Sequence, residues 1–260
     1  MCGRYTSTNT AQQTMADRFG PFDLRTVPLE TVGRANVCPT EPVLAVVGAD
    51  GGAAREARAL RWGLAPSWAT LRGMKPLINA RDDKLRSSGA WKKLASDASH
   101  RCLVIADGWI EWQKPEDRKA PRQPFWHRLP GGEPFAFAGL WTVARPKDGT
   151  EPIASCTIIT TSSNREAAIL HDRMPAVLAG PEAESAWLSP DVDLDGALEL
   201  VHPLPDATLE VLPVSTRLNA AGVEGLDLLQ PDAPAPAPAA ATSTAAPPAD
   251  GGDDGQLALI

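Results

Sequence analysis

The 260-residue sequence has one tyrosine, four histidines and four cysteines, and it has no apolar run near the roughly 18–20 residues a bilayer-crossing helix needs. The last absence excludes a chain threaded through a membrane by helices. The cysteines stand far apart, at 2, 38, 102 and 156, with no C-x-x-C pair. That spacing excludes both a zinc knuckle and a small disulfide framework. The histidines are equally dispersed, so neither a metal nor any other cofactor is expected. The opening text MCGRYTSTNT has no apolar segment behind its single arginine, so it does not read as a secretory signal. A cytoplasmic protein with reduced thiols is the expectation. What is present, 43% hydrophobic and 22% charged residues, describes a globular chain.

The formal net charge is −7, but it is unevenly spread. Residues 1–128 carry 20 Lys+Arg against 13 Asp+Glu, residues 129–230 carry 5 against 15, and residues 231–260 carry none against 4. A basic first half can supply a local phosphate-binding surface inside an acidic protein. Clustering along the chain is not yet clustering in space.

From residue 231 the text becomes PDAPAPAPAAATSTAAPPADGGDDG, which has too little apolar area to offset its ordering entropy, so residues 231–260 are expected to be a disordered tail. The tail ends Gln256-Leu257-Ala258-Leu259-Ile260, and apolar residues at the end of a tether suit a docking peptide. Residues 1–230 are expected to form one domain. Strands are predicted at 43–47, 101–106, 125–129, 134–141, 155–161, 176–179 and 209–214, mostly bounded by Gly, Pro, Asp or Ser. Helices are predicted at 10–19, with Thr10 as a candidate cap, and at 89–98, 164–170 and 181–188, the last opening on a proline. Strands outnumber helices and do not alternate with them as βαβ units. An α+β domain of mostly antiparallel sheets with short helices follows.

Cys2 is the most unusual residue. Once the initiator methionine is removed, its α-amine, with a pKa of roughly 7.7–8.0, and its thiol, near about 8.5, sit on adjacent carbons. With an aldehyde such an aminothiol gives a Schiff base and then, by closure of the thiol onto the imine carbon, a five-membered thiazolidine. Read alone, the position is also open to a small residue on a frayed end. Glu111 lies between Trp109 and Trp112, a setting that disfavours the carboxylate and suits a general acid or base, although a strand-surface carboxylate fits too. An imidazole is the side chain suited to moving protons near neutral pH, and His171 is either a proton carrier or a hydrogen-bonded structural residue.

Five motifs occur in order: Cys2-Gly3-Arg4-Tyr5-Thr6, WGLAPSW from Trp62 to Trp68, INAR from Ile78 to Arg81, DGWIEW from Asp107 to Trp112, and LHDRMP from Leu170 to Pro175. Together, over roughly residues 2 to 220, they resemble the SRAP family, the SOS response-associated peptidases or abasic-site-processing proteins. The resemblance implies that Cys2 captures the aldehyde of an abasic site in single-stranded DNA as a thiazolidine crosslink, with lyase activity or crosslink reversal open to the same Schiff-base chemistry. It implies proton transfers by Glu111 and His171, orientation of the amine or sugar hydroxyl by Asn79, phosphate contacts by Arg81 and Arg4, and a base-stacking role for Trp68 in preference to Trp62. Thr160, eleven residues before His171, matches a family threonine near the aldehyde carbon. The remaining Trp109, Trp126, Trp141 and Trp187 read as core, as do Cys38, Cys102 and Cys156.

Two departures from the family pattern stand out. The segment 69–75 looks longer than in some relatives, and Leu212 stands where some members have histidine before Pro-Val-Ser. A cysteine peptidase pairing Cys2 with His171 is the alternative reading. The terminal residues 256–260 also resemble the short peptides that recruit bacterial repair proteins to the replication sliding clamp. A monomer is expected.

Overall fold

The computed structural model describes residues 2–20, 22–49, 54–65, 75–115, 117, 119–145 and 151–232. In chain order the strands are β1 (Tyr5–Ser7), β2 (Arg34–Val37), β3 (Pro42–Ala49), β4 (Ala54–Trp62), β5 (Asn79–Arg81), β6 (Arg101–Ala106), β7 (Gly108–Gln113), β8 (Gln123–Arg128), β9 (Phe135–Ala144), β10 (Ile153–Ser162), β11 (Arg173–Pro175) and β12 (Glu210–Pro213). The helices are α1 (Gln12–Phe19), α2 (Asp82–Leu85), α3 (Gly89–Ser96), α4 (Arg165–Ala168), α5 (Pro181–Leu188) and α6 (Leu194–Glu199). Among the described residues, no helix is long and apolar enough to cross a membrane.

The strands form two sheets. One has the order β12-β8-β7-β1-β2 and is antiparallel throughout. In the other, β10, β4, β3, β6 and β9 follow one another, and β9 pairs back onto β10 to close the ring. Two short strands, β5 and β11, add to β10 beyond that ring. Only the β10–β4 and β10–β5 pairings are parallel, so the sheets are the mostly antiparallel ones expected.

Burial on both faces explains why β3 reads as the unbroken apolar run Val-Leu-Ala-Val-Val. Val43, Ala45 and Val47 enter a core shared with Tyr5 and Trp109 of the first sheet. Leu44 and Val46, on the opposite face, pack with residues of α1, α3, α5 and α6. Cys38, Cys102 and Cys156 are buried free thiols, and Trp109 and Trp187 are fully buried. Trp126 is buried too, and Trp141 is partly so.

The helix expected at 10–19 begins two residues later. Thr10 is not its cap: Ala11 holds that position without a side-chain bond, and Asn9 Oδ1 accepts the Ala11 N–H at 2.9 Å. Asparagine competes well for such local backbone donors. The strand expected at 176–179 lies at Arg173–Pro175 instead. Ala176 and Leu178 still exchange backbone bonds with Ala138 and Ala136 at 2.8 and 3.0 Å, so the apolar segment lies against β9 as a continuation of the strand. The tail residues 233–260, with the terminal apolar peptide, lie outside the described residues. Pro231 and Asp232 lie within them, and Asp232 accepts bonds from Ser215 and Thr216.

Candidate active site

Three motifs far apart in sequence meet at Cys2. Strand β1 lies against β7 with Tyr5 opposite Trp109 and Thr6 opposite Gly108, and the Ile110 N–H bonds to the Arg4 carbonyl at 3.0 Å. Carried one pair further, this register brings Glu111 beside Gly3, next to Cys2. Gly108 is required at this junction, because a methyl there would overlap the Trp126 indole nitrogen. On the other side β5 runs parallel to β10, with Asn79 opposite Ile158 and Arg81 opposite Thr160. Strand β11 then pairs Pro175 with Thr160.

Cys2 is fully buried, and its Sγ lies 3.7 Å from the Arg4 carbonyl. The Asn79 amide donates to the Cys2 carbonyl at 2.8 Å, which pins the residue's backbone to β5. The other end of that amide, Oδ1, is buried with no hydrogen-bond partner among the described residues. A buried acceptor is costly unless something donates to it, and this oxygen is free to accept from a donor that enters beside Cys2.

Burial pushes the Cys2 thiol well up, and the carboxylate of Glu111 adds to the effect. The resting sulfur is therefore a thiol, whereas a thiol peptidase works through a lowered pKa. Glu111, 7% exposed, is likewise raised, chiefly by burial, with the nearby charge of His171 working in the opposite direction. Glu111 thus feels both Cys2 and His171. A carboxyl held above its ordinary range is better placed to give as well as take a proton.

His171 sits in the turn between α4 and β11. Its carbonyl accepts from Ser163 Oγ at 2.7 Å, and its Nδ1 lies 3.0 Å from the Arg173 N–H and 2.8 Å from Asp172 Oδ1. These two contacts make opposite demands, because Nδ1 cannot accept from the amide while donating to the carboxylate. The backbone N–H can only donate and is fixed, whereas the Asp172 side chain is 88% exposed and free to turn. The neutral ring therefore carries its proton on Nε2.

The other expected residues are distributed around this centre. Thr160 is fully buried, and its hydroxyl and carbonyl both accept from the Arg173 guanidinium, which also reaches Asp82 Oδ1 at 2.7 Å. Arg81 is half exposed and forms a bidentate pair with Asp83, Nε to Oδ1 at 2.9 Å and Nη2 to Oδ2 at 3.0 Å. Arg4 Nη1 donates to Asn36 Oδ1 at 2.7 Å and to the Leu218 carbonyl at 3.0 Å, with its guanidinium 5.7 Å from the centre of the Trp112 ring. With Gly3, Trp112, Arg122 and Asn219 it lines a shallow cavity of about 410 Å³. Trp62 is core: it packs edge-on against Tyr5 at 5.2 Å, and its indole N–H bonds to the Ile78 carbonyl. Trp68 and residues 69–74 of the lengthened segment lie outside the described residues.

Sequence reading gave no role to Asp107, yet this residue holds the first strand in place. Its carboxylate, 2% exposed, accepts from Thr6 Oγ1 at 2.5 Å, from the amide and hydroxyl of Thr8 at 2.5 and 2.6 Å, and from the Asn9 amide at 3.3 Å. The hydroxyl-rich Thr-Ser-Thr-Asn text after Tyr5 was the available signal for a buried carboxylate partner. Asn36, which ties Arg4 to the Ala220 and Val223 carbonyls, was also missed.

A family model described as "SOS response associated peptidase (SRAP)" matches residues 1–221. Similar proteins include the abasic site processing protein YoqW of Bacillus subtilis, 32% identical over 237 residues that cover 88% of this chain and 99% of the relative. The abasic site processing protein YedK of Escherichia coli is 30% identical over 239 residues, 89% of this chain and all of the relative. The abasic site processing protein HMCES of Xenopus tropicalis is 33% identical over 180 residues, 62% of this chain and 53% of the relative. A crystal structure of a protein from Bacteroides thetaiotaomicron superposes with a TM-score of 0.73 at 21% identity, covering 88% of this chain and 99% of that one, which shows a shared fold.

Proposed function

Because the chain belongs to the SOS response associated peptidase family, we propose that it processes abasic sites in single-stranded DNA, and that Cys2, freed by removal of Met1, captures the ring-opened sugar aldehyde as a thiazolidine. The observation that carries this reading is the setting of Cys2: a residue at position 2 with its carbonyl held by Asn79 and its thiol within reach of the charge of Glu111, which in turn feels His171. The names of the relatives point to the same substrate.

In the proposed sequence the neutral α-amine of Cys2 adds to the aldehyde carbon. Glu111 then protonates the departing hydroxyl, so that one water leaves and an imine remains. The thiol sulfur adds to the imine carbon, and its proton passes through Glu111 to the imine nitrogen. One C–N and one C–S bond form, the aldehyde oxygen leaves as water, and nothing is oxidised or reduced. Asn79 Oδ1 accepts from the amine or from a sugar hydroxyl, which satisfies its unspent acceptor. His171, protonated on Nε2, serves proton exchange at the sugar as it opens. Arg4, Arg81 and Trp68 hold the strand, and the buried thiazolidine is shielded from bulk water. The protonated resting thiol suits this order, in which the amine attacks first.

Intact mass measurement tests the proposal. Loss of Met1, followed by an adduct equal to the oligonucleotide less one water and absent in Cys2→Ala, is the expected result. Turnover of a peptide substrate with no DNA retained on denaturing gels would instead favour the peptidase in the family's description.

A further inference from the structure

On and around β5 three arginines are answered by carboxylates: Arg81 by Asp83, Arg173 by Asp82, and Arg86 by Asp195. The Arg173 pair is mostly buried and braces Thr160, while Asp82 also accepts from Thr161 Oγ1 at 2.8 Å, so it belongs to the framework. The Arg81 pair is different. Both partners are about half exposed, and Asp83 engages the Nε and Nη2 edge of the guanidinium through two parallel bonds. Arg81 lies two residues beyond Asn79 on the same face of β5, with Ala80 between them turned into the core. Arg81 therefore shares the face of β5 whose Asn79 amide holds the Cys2 carbonyl.

A carboxylate and a phosphate offer a guanidinium the same thing, two anionic oxygens spaced for parallel N–H bonds. We propose that Asp83 is a specificity-determining residue, an internal stand-in for a DNA phosphate that occupies the Arg81 fork in the free protein and must leave it when a strand binds. This rests on single-stranded DNA being the substrate. A phosphate approaching the remaining Nη1 edge would lie alongside the Asp83 carboxylate, and the like charges repel. The hydrogen bonds from Arg81 hold Asp83 below the usual carboxylate range, so the competitor stays charged at neutral pH.

The consequence differs for damaged and undamaged DNA. An ordinary strand is held only by non-covalent contacts and meets the exchange in full at equilibrium. An aldehyde-bearing strand needs only to dwell long enough for the amine to react, after which the covalent bond retains it. Asp83 therefore weakens futile binding more than it slows capture, and it widens the gap between the two strands.

The test is a double-mutant cycle on the full chain, with wild type, Asp83→Asn, Arg81→Ala and the double variant. Each is titrated with an undamaged thymidine oligonucleotide by fluorescence anisotropy, and each is timed for crosslinking to the same oligonucleotide with one abasic site at saturating concentration. Asp83→Asn is expected to tighten undamaged DNA about two- to five-fold, the range an exposed ion pair supports, with a smaller change in the crosslinking rate constant. In the Arg81→Ala background most of that gain should vanish. Unchanged or weaker binding by Asp83→Asn overturns the proposal, and so does equal tightening in both backgrounds, which would mark a general charge effect. A wild type that binds no DNA overturns it together with its premise. Tighter binding by Asp83→Asn with no adduct from any variant would sink the thiazolidine reading and leave the Asp83 exchange standing.

Discussion

The two flanks of Cys2 carry the same residue type in opposite states. On the β1 side Arg4 is bound to neutral oxygens, those of Asn36 and the Leu218 carbonyl, and Arg122 lines the neighbouring cavity with no ion pair among the described residues. On the β5 side Arg81 and Arg173 are spent on Asp83 and Asp82. A neutral acceptor orients a guanidinium and leaves its full charge for a phosphate; a carboxylate orients it and cancels that charge. On the proposed function, the first flank is ready to attract a strand and the second exchanges partners to grip it.

If the two flanks only dock DNA, the proton transfers fall to Glu111. Glu111 lies on β7, the strand beside β1, and its replacement by glutamine keeps the side-chain shape while removing proton transfer. Glu111→Gln is expected to slow crosslinking by about 10³-fold at saturating DNA, with little change in affinity for undamaged strand. A rate within a few-fold of wild type would shift the chemistry to the flanking residues. Next in size, Asp107→Ala removes the acceptor for four bonds to Thr6, Thr8 and Asn9 and leaves buried donors unpaired. A loss of about 3 kcal/mol in urea unfolding is expected, with a slower crosslinking rate as β1 loosens.

The sheet that carries the Arg4 flank also contains His127, fully buried and stacked on Trp109 at 4.9 Å. Burial pulls its pKa down to about 4 from 6.5. The unfolded chain therefore takes up a proton in that window while the folded chain does not, so stability is full above pH 6.5 and falls as the pH drops toward 4. The loss is on the order of 2–3 kcal/mol, and His127→Phe, which keeps the ring stack, should flatten it. An unaltered acid limb in thermal unfolding would assign the loss to other groups.

The flanks themselves are separated by the smallest effects. Arg4→Ala is expected to weaken undamaged single-stranded DNA by about 1.5 kcal/mol, roughly tenfold. Arg81→Ala should cost about 0.5 kcal/mol, because wild type must first break the Asp83 pair. Equal losses, measured at one low salt concentration, would remove the distinction between the flanks.

Much of this was legible in the sequence, for reasons tied to particular segments. Residues 101–106 and 181–188 appear as expected because one is a continuous apolar run buried on both faces and the other opens on a helix-favouring proline. Strand β4 was not anticipated: its text, AREARALRW, is rich in alanine and charge, residues depleted in strands, and its conformation is imposed by pairing with β3 along eight residues. Strands β1, β5 and β11 are three residues each, too short for any period, and they exist because of the longer neighbours they join. At the site, Cys2, Asn79, Glu111 and His171 were identified by chemistry and motif. Asp83, Asn36 and Asp107, which hold Arg81, Arg4 and residues 6–9, were not, because a carboxylate's or an amide's role depends on what faces it across the fold.

Capture by Cys2, as proposed, needs the amine and the sulfur together. The most direct measurement is intact mass spectrometry of the purified full chain before and after incubation with a single-stranded oligonucleotide bearing one abasic site, alongside Cys2→Ala and Cys2→Ser. A mature mass lacking Met1, then an adduct of oligonucleotide less one water that survives without borohydride in wild type only, is the predicted result. The serine variant retains the amine and forms at most an imine that borohydride must trap. A stable adduct in Cys2→Ala, or none in wild type once Met1 is gone, would contradict thiazolidine capture.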